Sequence, residues 1–202
     1  MSDIAMLSAI IQGRRSLRRF APHPVPYEVL LSLLEAACWA PSAHNRQPWR
    51  FVVVAGQEAR ERLIAVMTDH LRADLAADGT PEEDIRADTE RSRQRLSTAP
   101  ALILICLSMQ DMDRYPDARR QGFEHTMAVQ SVAMAAQNLL LAAHARGLGA
   151  VWMCAPLFCQ SAVRQALDLP DDYEPQGMIA LGYPAQERAK TRAPLETRVI
   201  FR

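Results

Sequence analysis

The stretch from Phe123 to Arg146 limits this chain's fold more than any other. Val129, Val132, Ala133, Ala136, Leu139, Leu140 and Ala143 run through it at helical spacing and leave little polar surface. Gly147 follows, a residue suited to ending a helix. A helix apolar nearly all round is covered either by the core of a large domain or by a second subunit. A chain of 202 residues can bury one such helix unaided, so both coverings stay open, with a dimer favoured.

The rest of the chain offers the covering material. Ser2 can cap a helix that places Ile4, Leu7, Ile10 and Ile11 together and ends at Gly13. A second helix starts at Pro26, buries Leu30, Leu33, Leu34 and Ala37, and stops by Pro41. Residues 49–55, with Phe51, Val52, Val53 and Val54, read as a short buried strand. Leu63, Met67 and Leu71 mark another helix, and Ala101–Leu107 (ALILICL) is the strongest strand signal. Strands are expected near 150–153 and 177–181, a short helix near 161–167, and an extended tail over 193–202. Residues 78–95 are strongly polar, with Gly79 and Pro81 marking a turn, and read as a solvated excursion or lid. Helices and strands interleave without strict alternation, which predicts one α+β domain over residues 1–202 with a central sheet.

Composition removes several function classes. The 23 Lys and Arg balance 23 Asp and Glu, so the cationic surplus of a nucleic-acid binder is missing. No uninterrupted apolar run approaches the roughly 20 residues of a membrane span. Residues 1–12 are modestly apolar, but Arg14 and Arg15 follow them, the reverse of a secretion signal. Cys38, Cys106, Cys154 and Cys159 form no CxxC or Cys/His cluster, so reduced thiols in a cytoplasmic protein and no metal centre are expected. No phosphate loop, nucleophile elbow, HExxH or paired-carboxylate motif occurs. Gly147-Leu148-Gly149 lacks the third glycine of a dinucleotide fingerprint and sits between helix and strand in the wrong order.

Four segments carry chemistry. In Arg14-Arg15-Ser16-Leu17-Arg18-Arg19-Phe20 an extended backbone would set Arg14, Ser16 and Arg18 on one side. Two guanidinium forks and a hydroxyl suit a phosphate dianion, a solvated basic patch being the alternative. The proline-stiffened loop from Pro41 to Trp49 holds Ser42, Asn45 and Gln47 at close spacing. These can read the edge of a planar heterocycle or satisfy one another, and His44 reads as an ordinary loop histidine. After Gly147-Leu148-Gly149 a strand end delivers the backbone of Met153 and Cys154, and nothing in the sequence marks the Cys154 thiol as activated. Lys190-Thr191-Arg192 is either surface charge or two more cations for the same anion.

In this order the segments resemble the FMN-dependent nitroreductase family over nearly the whole chain. The matching residues are Arg14-Arg15-Ser16-x-Arg18-x-Phe20, Pro41-Ser42-x-x-Asn45-x-Gln47-Pro48-Trp49-x-Phe51, Gly147-Leu148-Gly149, and Gly182-Tyr183-Pro184 followed by Lys190-x-Arg192. Tyr115-Pro116-Asp117-Ala118, Glu124-His125-Thr126-Met127 and Leu167-Asp168-Leu169-Pro170 look closest to one branch. That branch includes the flavin domain fused to the γ-glutamyl ligase of deazaflavin-cofactor biosynthesis, and the ligase has no counterpart in this sequence.

The resemblance implies a three-layer sandwich with a central, mostly antiparallel sheet and flanking helices, in an intertwined homodimer with two shared FMN sites. It implies Arg14, Ser16 and Arg18 at phosphate and ribityl, joined by Lys190 and Arg192, with Arg15 and Gln47 in the same cofactor-binding set. Pro41, Ser42 and Asn45 of the partner chain would meet the isoalloxazine, and the backbone of Met153 and Cys154 would lie near flavin N5. No catalytic side chain is implied, because the flavin carries the redox chemistry. The implied reaction is ping-pong hydride transfer from NAD(P)H to a nitroaromatic, quinone or other conjugated acceptor, with pocket walls from residues 78–95 and the Tyr115 loop. Its rivals are a reductase step in deazaflavin-cofactor assembly, a deazaflavin-dependent reductase, and a non-catalytic flavin- or nucleotide-binding accessory protein.

Overall fold

The computed structural model describes residues 2–202; Met1 lies outside the described residues. Six helices form, α1 (Asp3–Gly13), α2 (Tyr27–Cys38), α3 (Gln57–Ala77), α4 (Glu82–Ser97), α5 (Ala118–Ala145) and α6 (Gln160–Ala166). Four strands, β1 (Trp49–Val53), β2 (Ala101–Leu107), β3 (Gly149–Met153) and β4 (Glu174–Gly182), make one antiparallel sheet in the order β1-β2-β4-β3.

β2 explains the layering. Its side chains alternate across the sheet, as strand geometry requires. Ala101, Ile103, Ile105 and Leu107 pack with Leu33 and Ala37 of α2 and Val132, Ala136 and Leu139 of α5. Leu102, Leu104 and Cys106 pack on the other side with Leu63, Ile64 and Met67 of α3, Leu96 of α4 and Val163 of α6. The result is the α+β three-layer sandwich. β1 departs from expectation: as an edge strand it is only half-buried along most of its length and exposed at Val53.

Local chemistry sets the helix ends. The Ser2 hydroxyl accepts from Ala5 N–H and starts α1, and the Asp117 carboxylate accepts from Arg120 N–H and starts α5. Hydrogen bonds from the Arg120 backbone and side chain hold the Asp117 carboxyl below the usual range. α5 therefore begins five residues before Phe123, in a polar first turn that hydrophobic spacing cannot detect. Gly147 closes the far end at φ +75°, a left-handed conformation natural to glycine.

Residues 78–95 are no loose excursion: most of them belong to α4, which packs back against α3. Only Ile85, Thr89 and Leu96 are buried, a stripe too sparse to show as periodicity. Three acids in its first turn suit the positive end of a helix dipole. α5 is, among the described residues, long and apolar enough to cross a membrane, a property the search for uninterrupted apolar runs overlooked. Its apolar composition has another use, since nine of its residues are buried, seven of them in the α2-side core. The opposite face leaves Phe123 and Met134 exposed, and α1 buries no residue, leaving Ile4, Leu7 and Ile11 in the open. The tail beyond residue 193 is exposed and irregular, with one short turn at Leu195–Thr197.

Two measurements test this packing. A Cβ at Gly177 would fall inside the Trp152 indole ring, whereas nothing lies within 4 Å of one at Gly122 in α5. Gly177→Ala is expected to lower the urea-unfolding free energy by about 1–3 kcal/mol, while Gly122→Ala raises it by about 1 kcal/mol; equal effects would refute the packing. Burial pushes the Cys106 thiol up to about 12 and raises that of Cys159, whereas Cys38 and Cys154 are exposed. A disulfide reagent at mildly alkaline pH should titrate two thiols fast and two only on unfolding.

Candidate functional site

After α1 the chain turns extended at Arg14 and runs as a strap along the outer edge of β3. Leu17 N–H donates to the Ala150 carbonyl at 3.1 Å, and Ser16 bridges Ala150 in parallel. Further on, Ala21 N–H donates to Tyr183 O and Ala185 N–H to Arg19 O, tying the strap to the chain leaving β4. Gly149 permits the approach, since a Cβ there would stand 3.0 Å from Leu17 Cδ1.

The strap brings the two ends of the chain together. Arg14, Arg15, Ser16 and Arg18 surround a hollow of about 360 Å³ with Arg188, Lys190 and Arg192. Six cations and a hydroxyl line it, with no carboxylate, and none of the six makes an ion pair among the described residues. Burial, then Arg192 and Arg15, lowers the Arg14 pKa. Arg15 donates to the carbonyls of Gln12 and Arg14, and its buried Nε has no partner. Arg188 was missed in the sequence, although 188, 190 and 192 alternate along one side of an extended chain.

Met153 and Cys154 lie at the far end of β3, about 10 Å from Ala150 at the usual strand rise. The Trp152 indole N–H donates to Cys154 Sγ at 3.0 Å, and Cys154 is exposed. The outer edge of β3 carries no strand partner beyond the Ser16 bridge among the described residues.

The second loop stays apart from the cationic hollow within one chain. Pro41, Asn45 and Gln47 are exposed and Ser42 is half-buried. His44, Asn45 and Gln47 hold φ of 50°, 53° and 51°, left-handed conformations costing roughly 1 kcal/mol or more each. The surroundings impose them: Gln47 N–H donates to Ser42 Oγ at 3.0 Å, and Ala43 N–H to Ser131 Oγ of α5 at 3.2 Å. Arg46 pairs with Asp113, and Arg50 with Asp111 at 2.9 Å. No sequence signal announces this strain, because none of the three residues is glycine.

Two further groupings bring together residues that no single sequence segment joins. Glu124 is fully buried, with Oε1 accepting from Asp113 N–H and Oε2 unpartnered. Its ligand atoms and those of His44 and Asp113 lie within 4.8 Å of one another, with Arg46 already on Asp113. Where β2 ends and β4 begins, Tyr115, Gln160, Arg164 and Glu174 help line an open hollow of about 780 Å³. Burial pushes the Glu174 carboxyl up, but hydrogen bonds from His125, Gln176 and Gln160 outweigh it and leave the pKa lowered.

The chain is similar in sequence and fold to known proteins. A Bacillus subtilis protein, YfhC, provisionally named an NAD(P)H nitroreductase, is 30% identical over 198 residues, covering 96% of this chain and 93% of its own. A 5,6-dimethylbenzimidazole synthase of Rhodospirillum rubrum is 33% identical over 189 residues, covering 90% of this chain and 83% of its own. A crystal structure from Desulfovibrio desulfuricans, provisionally named a nitroreductase and complexed with FMN, superposes at a TM-score of 0.76. It is 29% identical and covers 97% of this chain and 96% of its own. The sequence pattern of the Nitroreductase family matches residues 11–183, which is most of the chain and spans every strand and helix except the first turns of α1; the chain belongs to that family.

Proposed function

We propose that this chain is an FMN-dependent oxidoreductase that uses NAD(P)H to reduce a nitroaromatic, quinone or other conjugated acceptor, and that it works as a homodimer. The observation that carries the reading is the cationic hollow beside the open edge of β3. Six cations around a small space with no carboxylate, and a buried Arg15 Nε without a partner, are what a phosphate dianion would satisfy. The FMN complex of the Desulfovibrio relative and the name of YfhC support the same reading.

When bound, FMN supplies the redox chemistry, accepting hydride from NAD(P)H and passing the electrons to the acceptor in ping-pong order. Arg14, Ser16, Arg18, Lys190 and Arg192, with Arg15 and Arg188 beside them, would hold its phosphate and fix the ring by its tether. The backbone at Met153 and Cys154, one strand length away, would orient the ring. No side chain in the hollow is suited to shuttle protons near neutrality, since all the charged ones are arginine or lysine.

The dimer reading explains what one chain leaves open. Pro41, Ser42, Asn45 and Gln47 belong to a mostly exposed loop with left-handed backbone at His44, Asn45 and Gln47, suited to completing a partner's site. Ile4, Leu7, Ile11, Phe123 and Phe201 are exposed and apolar, as a buried subunit contact would require.

Purified protein is expected to be yellow, to sediment as two chains, and to lose its visible absorbance on anaerobic addition of NADH or NADPH. Arg14→Ala should weaken FMN binding by about 1.5–3 kcal/mol, the worth of a charge-assisted hydrogen bond. The same change should leave the flavin-free protein no less stable, because it removes repulsion from Arg15 and Arg192. Undiminished flavin retention in that variant would remove the phosphate assignment. Reduced deazaflavin, run beside the two nicotinamides, tests the deazaflavin-dependent alternative, and tight flavin binding with no reduction by any donor would leave an accessory protein.

A further inference from the structure

The cationic hollow does not end at Arg18 and Arg188. Both also wall a second hollow of about 790 Å³, whose lining includes Arg19, Phe20, Arg91 and Arg95. Arg91, Gln94 and Arg95 of the last turns of α4 and its C-cap Thr98 contribute at spacing i, i+3, i+4 and i+7, which is one helix face presenting two guanidinium groups, a carboxamide and a hydroxyl. No carboxylate lines this second hollow. Among the described residues Arg91 alone of its arginines has an ion pair, with Asp88. Burial, then Arg18 and Arg91, lowers the Arg95 pKa. A helix dipole accounts for arginines near the end of α4, but not for their converging on Arg18 and Arg188 across a cavity. Long cationic side chains free to choose would separate in water.

We propose that this second hollow binds the adenosine-phosphate half of a dinucleotide, with Arg18 and Arg188 shared between its phosphate and the one held beside Arg14. Arg91 and Arg95 meet the added phosphoryl oxygens, and Phe20 and the guanidinium planes offer stacking surface for a purine. Gln94, Thr98 and Gln186 supply neutral polar groups for ribose and base. The inference rests on the proposed function only for the identity of the neighbouring phosphate. Two dinucleotides share this chemistry, NADPH and FAD, and the experiment separates them.

The test is calorimetric titration of purified protein, with and without FMN, by adenosine diphosphate and adenosine 2′,5′-bisphosphate. Binding is expected, weakened by added salt, and reduced about tenfold or more in Arg91→Ala/Arg95→Ala. FMN affinity should hold in that variant, whose α4 helicity is checked by circular dichroism. Binding with FMN in place, and a rise in KM for NADPH larger than for N-benzyl dihydronicotinamide, assigns the site to the nicotinamide nucleotide. Binding only without FMN, with FAD but not FMN affinity lost in the variant, assigns it to FAD. No binding in either state, binding unchanged by the double substitution, or equal competition by inorganic sulfate overturns the proposal. Should the protein fail to hold FMN at all, the proposed function falls while the adenosine titration still reads this hollow.

Discussion

Ala101–Leu107 buries alternate side chains in opposite directions, and that two-sided burial governs the architecture. Helices must cover both faces of β2, so α2 and α5 lie on one side and α3, α4 and α6 on the other. With both faces occupied, a ligand has only the ends and edges of the sheet left. β1 closes one edge with half-buried residues, and β3 leaves the other open to the strap of residues 14–20. The cationic hollow therefore sits where the scaffold has backbone to spare and no core to lose.

That position explains how a chain with balanced charge can gather so many guanidinium groups. The acids that balance them are spent elsewhere, in the first turn of α4, on Arg46 and Arg50, and on the caps of helices. The strap then half-buries Arg14 and holds it near Arg192 and Arg15, and burial first and these charges second disfavour its charged form. A site of this kind costs stability when empty and regains it from its ligand, the usual linkage between binding and folding. The strained loop at His44, Asn45 and Gln47 follows the same logic, because Ser42, Ser131 and the Arg46–Asp113 pair hold a conformation the residues would not choose.

Legibility followed the range of the physics involved. Ser2 and Gly147 announce helix ends through backbone chemistry a few residues long, and both lie where the sequence places them. α4 escaped detection because its buried face needs only Ile85, Thr89 and Leu96, too few for a period to appear. The start of α5 escaped for a related reason, its first turn being polar and its cap at Asp117 lying outside the apolar run. Arg188, Arg91 and Arg95 carry no motif, and only the tertiary structure brings them together with Arg18.

The sequence alone determined the types of most elements, the apolar strand at residues 101–107 and the residue kinds suited to an anion, since these depend on local spacing and side-chain chemistry. Tertiary structure decided that residues 14–18 and 188–192 share one hollow, that β1 is an edge, and that the Pro41–Gln47 loop stands apart from the cations of its own chain. The reason is the strand order β1-β2-β4-β3, which sets β3 at the sheet's margin and carries the chain leaving β4 back to the strap. Pairings over such sequence distances are selected by the burial of the whole sheet, and no window of neighbouring residues contains that information.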